Sequence, residues 1–223
     1  MWHQYPDLHS CIETLSANIV RHIDTRLQAA DTFTLCVSGG RSPIPLFERL
    51  AKSPIDWPRV RVRLVDERHV PPEHPDSNES LVRRHLLTGK ARTADFRGLY
   101  VPEATLDAAV DAANADTKEI DLAILGMGDD GHTASLFPGA TQLDAALAPN
   151  AACYLHVTPP HAAHERITLS LAALKACGGL LMYISGTRKR HVLLEAEQKI
   201  SKRLPVSLLA ADPGVFLDVH WHP

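Results

Sequence analysis

The 223-residue chain has four cysteines, and none stands in a C-x-x-C pair: Cys11, Cys36, Cys153 and Cys177 are separated by 25, 117 and 24 positions. That spacing suggests neither a zinc knuckle nor a disulfide framework, so all four read as reduced thiols, most of them small buried apolar residues. Long hydrophobic runs are missing too. No apolar stretch approaches the ~18 residues of a membrane span, and the opening MWHQYPDLHSC lacks the basic segment and apolar core of a secretory signal. A cytoplasmic address with no membrane partner is expected. There is no excess of positive charge, because Lys+Arg 23 against Asp+Glu 26 leave a formal net charge of -3. Nucleic acid is therefore not expected as a partner, and an anionic ligand must be held by a local site. HxH, HExxH and Cys/His metal spacings are absent, so no metal and no cofactor is expected.

What is present is an ordinary globular mixture, 45% hydrophobic and 22% charged, able to bury a core. No repeat, low-complexity tract or linker divides the chain, and residues 1–223 read as a single domain. Leu8, Cys11, Ile12, Leu15, Ile19, Ile23 and Leu27 recur at three- and four-residue steps, the pattern of an amphipathic helix. Short β-rich runs follow at 32–37, 60–66, 121–125, 153–158, 180–185 and 215–219. Helical segments are expected at 44–52, 78–87, 102–116, 167–175 and 187–200. Strands alternating with helices imply an α/β domain built on a mostly parallel, doubly wound (Rossmann-like) sheet with helices on both faces.

In such sheets ligands bind beyond the carboxyl ends of the strands, and four strand-end segments carry unusual chemistry. Ser38-Gly39-Gly40-Arg41-Ser42-Pro43 offers backbone N–H groups at a helix start, two hydroxyls and a cation, which suits phosphate. It is equally a plain glycine turn, since it matches neither a P-loop nor a dinucleotide fingerprint. In Gly126-Met127-Gly128-Asp129-Asp130-Gly131-His132 the two aspartates would repel a pyrophosphate, whereas Asp130 can orient His132 as a general base. The alternative is Asp130 as the N-cap of a following helix, and with thirteen histidines in the chain His132 must be judged by its neighbours. Asp66-Glu67-Arg68 serves either a site or a buried ion pair. Arg166 and Lys189 either bind or are solvated charges on helix faces.

Taken in order, SGGRSP (38–43), DERHVPP (66–72), PDSN (75–78), GMGDDGHTASLFPG (126–139), RIT (166–168), GTRK (186–189) and LPVS (204–207) resemble the 6-phosphogluconolactonase family. The likeness spans about residues 30 to 210, and the block at 126–139 is its most specific part. It implies a modified doubly wound α/β domain shared with glucosamine-6-phosphate deaminases, and hydrolysis of a phosphorylated sugar lactone in the oxidative pentose phosphate pathway. By the same resemblance His132 activates water, Asp66 and Arg68 lie beside the sugar ring, and Ser38 to Ser42, Arg166 and Lys189 surround the phosphate. Ser42 stands where the family usually has threonine, and VFLDVHWHP at the end is a looser match. The rivals are a deaminase or isomerase of the same superfamily and a sugar-phosphate-binding regulator without catalysis. Against the first stand Arg68, where that branch has an aromatic, the TASLFPG run and the short chain. Against the second stands the lack of room or a basic helix for a DNA-binding module. A monomer is favoured over an oligomer.

Overall fold

A computed structural model describes residues 1–117 and 119–223. After a short strand, β1 (Trp2–Gln4), the periodic stretch is α1 (Leu8–Leu27). Its buried stripe runs from Cys11 through Leu15, Ile19 and Ile23 to Leu27, and Asp7 caps its first turn by accepting the Ser10 N–H at 2.8 Å. The chain continues as β2 (Phe33–Val37), α2 (Ile44–Ala51), β3 (Val60–Leu64), β4 (Asp66–Arg68), α3 (Asn78–His85), β5 (Asp95–Phe96), α4 (Leu106–Ala115) and β6 (Leu122–Leu125). Then come α5 (Leu143–Leu147), β7 (Tyr154–Val157), β8 (Arg166–Leu169), α6 (Leu171–Lys175), β9 (Leu180–Ser185), α7 (Thr187–Ala196), α8 (Ser207–Ala210) and β10 (Leu217–His222).

Seven strands form one sheet in the order β1-β10-β9-β6-β2-β3-β5, with every pairing parallel. β2 and β6 are buried at every position, because helices cover both faces of this doubly wound α/β sheet. The apolar core is one cluster reaching from Cys11 to Val219. From β2 the chain builds outward through β3 and β5, then returns to β6 and builds the other way through β9 and β10. The loops after β2 and β6 therefore diverge, and they open a crevice at the carboxyl end of the sheet.

Besides the short β5, α5 and α8, which the sequence-based expectation does not contain, the structure departs from it at β4, over 167–175 and along the β1–β10 edge. Asp66–Arg68 does not extend β3. Val65 donates its N–H to Val37 O at 3.0 Å in the main sheet while its carbonyl accepts the Leu169 N–H at 2.9 Å, so the chain changes sheets at this residue. β4 joins an antiparallel three-stranded sheet in the order β4-β8-β7, with Asp66 opposite Thr168 and Arg68 opposite Arg166. The helix expected over 167–175 is correspondingly β8 followed by α6, separated at Ser170, whose Oγ accepts the Ala173 N–H at 3.1 Å. Ile167, Leu169, Leu171 and Leu174 fit either period, and only pairing with β4 and β7 decides between them. The last strand spans Leu217–His222, not 215–219, and the unexpected β1 pairs with it in parallel, His3 opposite His220. Two histidines in that tail read poorly as strand residues until their partners are in view.

Candidate active site

The crevice is a pocket of about 380 Å³, lined by Ser38, Gly39, Gly40, Arg41, Ser42, Asp66, Arg68, His132, Arg166 and Lys189. Every site residue expected from the sequence is on that wall except Asp130, which stands behind His132. Ser38 N–H still belongs to the sheet, donating to Ile124 O at 3.1 Å. The N–H groups of Gly39, Gly40, Arg41 and Ser42 beyond it have no partner among the described residues, and they lead into the start of α2. Successive free N–H groups before a helix make an anion-binding concavity. A side chain at Gly39 would collide with the Asn78 carboxamide, whose Nδ2 donates to Asp66 O at 2.8 Å. Glycine is what lets this turn close against Asn78 at the start of α3.

Strand alternation sends Asp66 and Glu67 in opposite directions. Asp66 Oδ2 accepts the Ser135 hydroxyl at 2.6 Å, and the Ser135 N–H donates to Thr168 Oγ1 at 3.0 Å. Glu67 is almost fully buried and accepts the N–H groups of Arg68, Asn78 and Glu79 at 2.7–2.8 Å and the Ser77 hydroxyl at 3.1 Å. Burial pushes its carboxyl up to about 7 although these donors pull the other way. The triplet therefore holds no internal ion pair: Glu67 anchors the start of α3 to β4, and Arg68 donates to Asp76 O at 2.5 Å.

Arg166 is not a solvated charge on a helix. It opens β8 with 7% of its surface exposed, donates from Nη2 to Ala163 O at 3.0 Å and lies 5.8 Å from the centre of the Phe137 ring. Its Nε, like the Ser38 hydroxyl, is buried with no hydrogen-bond partner among the described residues. Neither Arg68, Arg166 nor Lys189, which sits in the first turn of α7, has a carboxylate at ion-pair distance among the described residues. Burial and then the neighbouring Arg68 guanidinium lower the Arg166 pKa. A buried cation facing other cations is expensive unless an anion joins them.

At the far side of the pocket the turn after β6 is held by Gly128 N–H to His132 O at 2.9 Å and Gly131 N–H to Gly128 O at 3.1 Å. His132 Nδ1 lies 2.5 Å from Asp130 Oδ1, which also accepts the His132 backbone N–H at 3.2 Å. The ring packs on Phe137 with centroids 4.2 Å apart and covers Gly128, where any side chain would strike it. Residues after His132 form turns, not a helix, so Asp130 serves the imidazole and caps nothing. With the Nδ1 proton assigned to Asp130, Nε2 keeps its lone pair, the tautomer a base requires.

Two groups bring three metal-type ligands together among the described residues: His74, Asp76 and His164 next to Arg68, and His3, Asp218 and His220 on the β1–β10 edge. In the first, His74 Nδ1 already accepts the Asp76 N–H at 3.1 Å. A smaller cavity of about 210 Å³, lined by residues including Cys36, Arg63 and Cys153, contains none of the expected site residues, and its Arg63 is paired with Asp95 and Asp116.

Residues 6–221 match the model of the family described as glucosamine-6-phosphate isomerases/6-phosphogluconolactonase. The chain belongs to this family. It is 43% identical over 216 residues to a 6-phosphogluconolactonase of Pseudomonas aeruginosa, covering 94% of this chain and 89% of the relative. With a 6-phosphogluconolactonase of Neisseria meningitidis serogroup B it shares 38% over 221 residues, 96% of each. The crystal structure of a 6-phosphogluconolactonase from Shewanella baltica matches with a TM-score of 0.93 at 32% identity, covering 100% of this chain and 97% of that one. A monomeric glucosamine-6-phosphate deaminase, 14% identical with a TM-score of 0.78, shares the fold. No helix among the described residues is long and apolar enough to cross a membrane.

Sequence reasoning assigned no role to Asn78, Ser135 or Phe137, and it read Glu67 only as part of a triplet serving a site or an ion pair. All four stand within the family-like segments, but only the contacts above show what they hold: Asn78 and Ser135 fix Asp66, Phe137 lies against both His132 and Arg166, and Glu67 joins β4 to α3.

Proposed function

We propose that the chain is a 6-phosphogluconolactonase that hydrolyses 6-phospho-D-glucono-1,5-lactone to 6-phosphogluconate in the oxidative pentose phosphate pathway. The observation that carries this reading is that an oriented imidazole, His132 on Asp130, and an unneutralised buried guanidinium, Arg166, open onto one pocket. Arg166, Lys189 and the free N–H groups of residues 39–42 take the phosphate, which positions the lactone carbonyl at the other end. His132 Nε2 removes a proton from water, and the resulting hydroxide adds to the carbonyl carbon. The imidazolium is stabilised by Asp130. Negative charge on the carbonyl oxygen is met by Arg68 or by a backbone N–H of the 126–131 turn other than those of Gly128 and Gly131, which are engaged within the turn. Collapse of the tetrahedral adduct breaks the bond to the ring oxygen, which takes the proton from His132. Asp66, held by Ser135, contacts the sugar ring. We also propose that residues 1–223 act as one domain, in the cytoplasm, with no metal needed for the hydrolysis and no nucleic acid or membrane as partner.

The test is hydrolysis of freshly generated phosphorylated lactone with the spontaneous background subtracted. Turnover well above background supports the reading. No rate above background overturns it in favour of a binding protein, and release of ammonia from glucosamine 6-phosphate in favour of a deaminase.

A further inference from the structure

The carboxyl-terminal run takes no part in the pocket, yet it assembles chemistry of its own. Asp218 and His220 are two positions apart on β10 and share a face, and the parallel register sets His3 of β1 opposite His220. His3 Nε2 is 2.8 Å from Asp218 Oδ1, and His220 Nε2 is 3.3 Å from Asp218 Oδ2. The imidazoles stack with centroids 4.5 Å apart at 21°, and the ligand atoms all lie within 4.8 Å of one another. We propose that His3, Asp218 and His220 form a binding site for a divalent transition metal of the zinc class, separate from the lactone pocket.

Two imidazole nitrogens and one carboxylate are a donor set of open zinc sites, whose fourth position is held by water. Bonds of about 2.0–2.1 Å to a tetrahedral ion place ligand atoms about 3.3 Å apart. His220 has that spacing, at 3.3 Å, to Asp218 Oδ2, whereas His3 lies at 2.8 Å from the other oxygen, Oδ1, so the partly exposed His3 must withdraw by about half an ångström and turn out of the ring stack for both imidazole lone pairs to converge on one ion. His3 and Asp218 side chains are 32% and 28% exposed and His220 is 0% exposed, so the ion and its water enter from the His3 side onto a fixed, buried ligand. Behind it, the Tyr5 hydroxyl is 2.9 Å from His220 Nδ1. With a metal on Nε2 the proton resides on Nδ1 and is donated to the Tyr5 oxygen, the kind of outer partner that fixes a ligating ring. A bound ion would join residues from the two ends of the chain and pin the edge strand β1 onto β10.

Untagged protein of residues 1–223, stripped with chelator, is titrated with Zn²⁺ by calorimetry and with Co²⁺ by visible absorption. One tight equivalent is expected, with a four-coordinate Co²⁺ spectrum. His3→Ala and Asp218→Asn should each weaken it by about 100-fold or more, and Tyr5→Phe by about 10-fold. At a free Zn²⁺ concentration 100 times Kd the wild-type Tm should rise by about 5–10 °C, a shift missing in His3→Ala. His3→Ala changes a partly exposed side chain away from the pocket and should leave lactone hydrolysis unaltered, so the result stands apart from the proposed activity. The absence of a tight equivalent, its survival in His3→Ala, or its loss in His74→Ala or His132→Asn instead, overturns the proposal.

Discussion

Arg166→Met should separate what stabilises the free protein from what captures its substrate. The replacement keeps an unbranched apolar stem against Phe137 and removes a buried charge that has no carboxylate partner among the described residues and faces Arg68. The loss is one hydrogen bond to Ala163 O, about 1 kcal/mol. Exchanging buried ionic groups for apolar ones of similar volume is worth about 1–4 kcal/mol in favourable cases. A net gain of about 1–2 kcal/mol is expected, a rise in Tm of about 2–8 °C for a chain of this size. In the substrate complex the sign reverses, because two charge-assisted bonds to phosphate at about 1.5–3 kcal/mol each are lost. KM for the phosphorylated lactone should rise by about 10²- to 10⁴-fold while kcat falls much less. Background-subtracted hydrolysis measures the kinetics, and thermal melts with and without inorganic phosphate measure the stability. Phosphate should raise the wild-type Tm more than that of the variant. Unphosphorylated gluconolactone, a poor substrate for the wild type, should lose little further. A variant that melts several degrees lower with an unchanged KM would falsify this reasoning, since Arg166 would then be a structural group and the phosphate would bind elsewhere.

His132→Asn should lower kcat by about 10²- to 10⁴-fold with KM and Tm nearly unchanged. A well-folded variant with wild-type turnover would move the role of base to Asp66. Glu67 makes the wild type less stable as pH rises: its folded pKa of about 7 exceeds the ordinary value of 4.5, so the folded state binds the proton more tightly. Its favourable contribution is complete below about pH 4.5 and is lost as pH rises through about 7, by about 3 kcal/mol in all. The stability gap between wild type and Glu67→Gln in urea titrations should therefore shrink by that amount between those limits, and a gap that widens would refute the assignment. Gly39→Ala should displace Asn78 and with it the backbone of Asp66, lowering kcat/KM by about 10-fold or more. Unaltered kcat/KM in this variant would mean that the close approach of the two loops has no bearing on the site.

Much of the site was legible because its parts are local. SGGRSP and GMGDDGH lie directly after buried apolar strands, and a two-residue separation is enough to bring Asp130 to His132. Strand periodicity, the helix stripe from Cys11 to Leu27 and the alternation of elements likewise depend on neighbours in the chain, so the parallel α/β class follows from the sequence alone. Tertiary structure decided everything that depends on a distant partner. Whether Ile167 belongs to a helix or a strand is settled by β4 and β7, and with it whether Arg166 is solvated or buried. That Glu67 meets backbone donors of α3 while Arg166 meets no carboxylate among the described residues cannot be read from a list of charges, because pairing depends on which loops the sheet brings together. The union of His3 with Asp218 and His220 is the extreme case. Each end of the chain looks unremarkable alone, and only the parallel register of β1 on β10 places them within bonding distance.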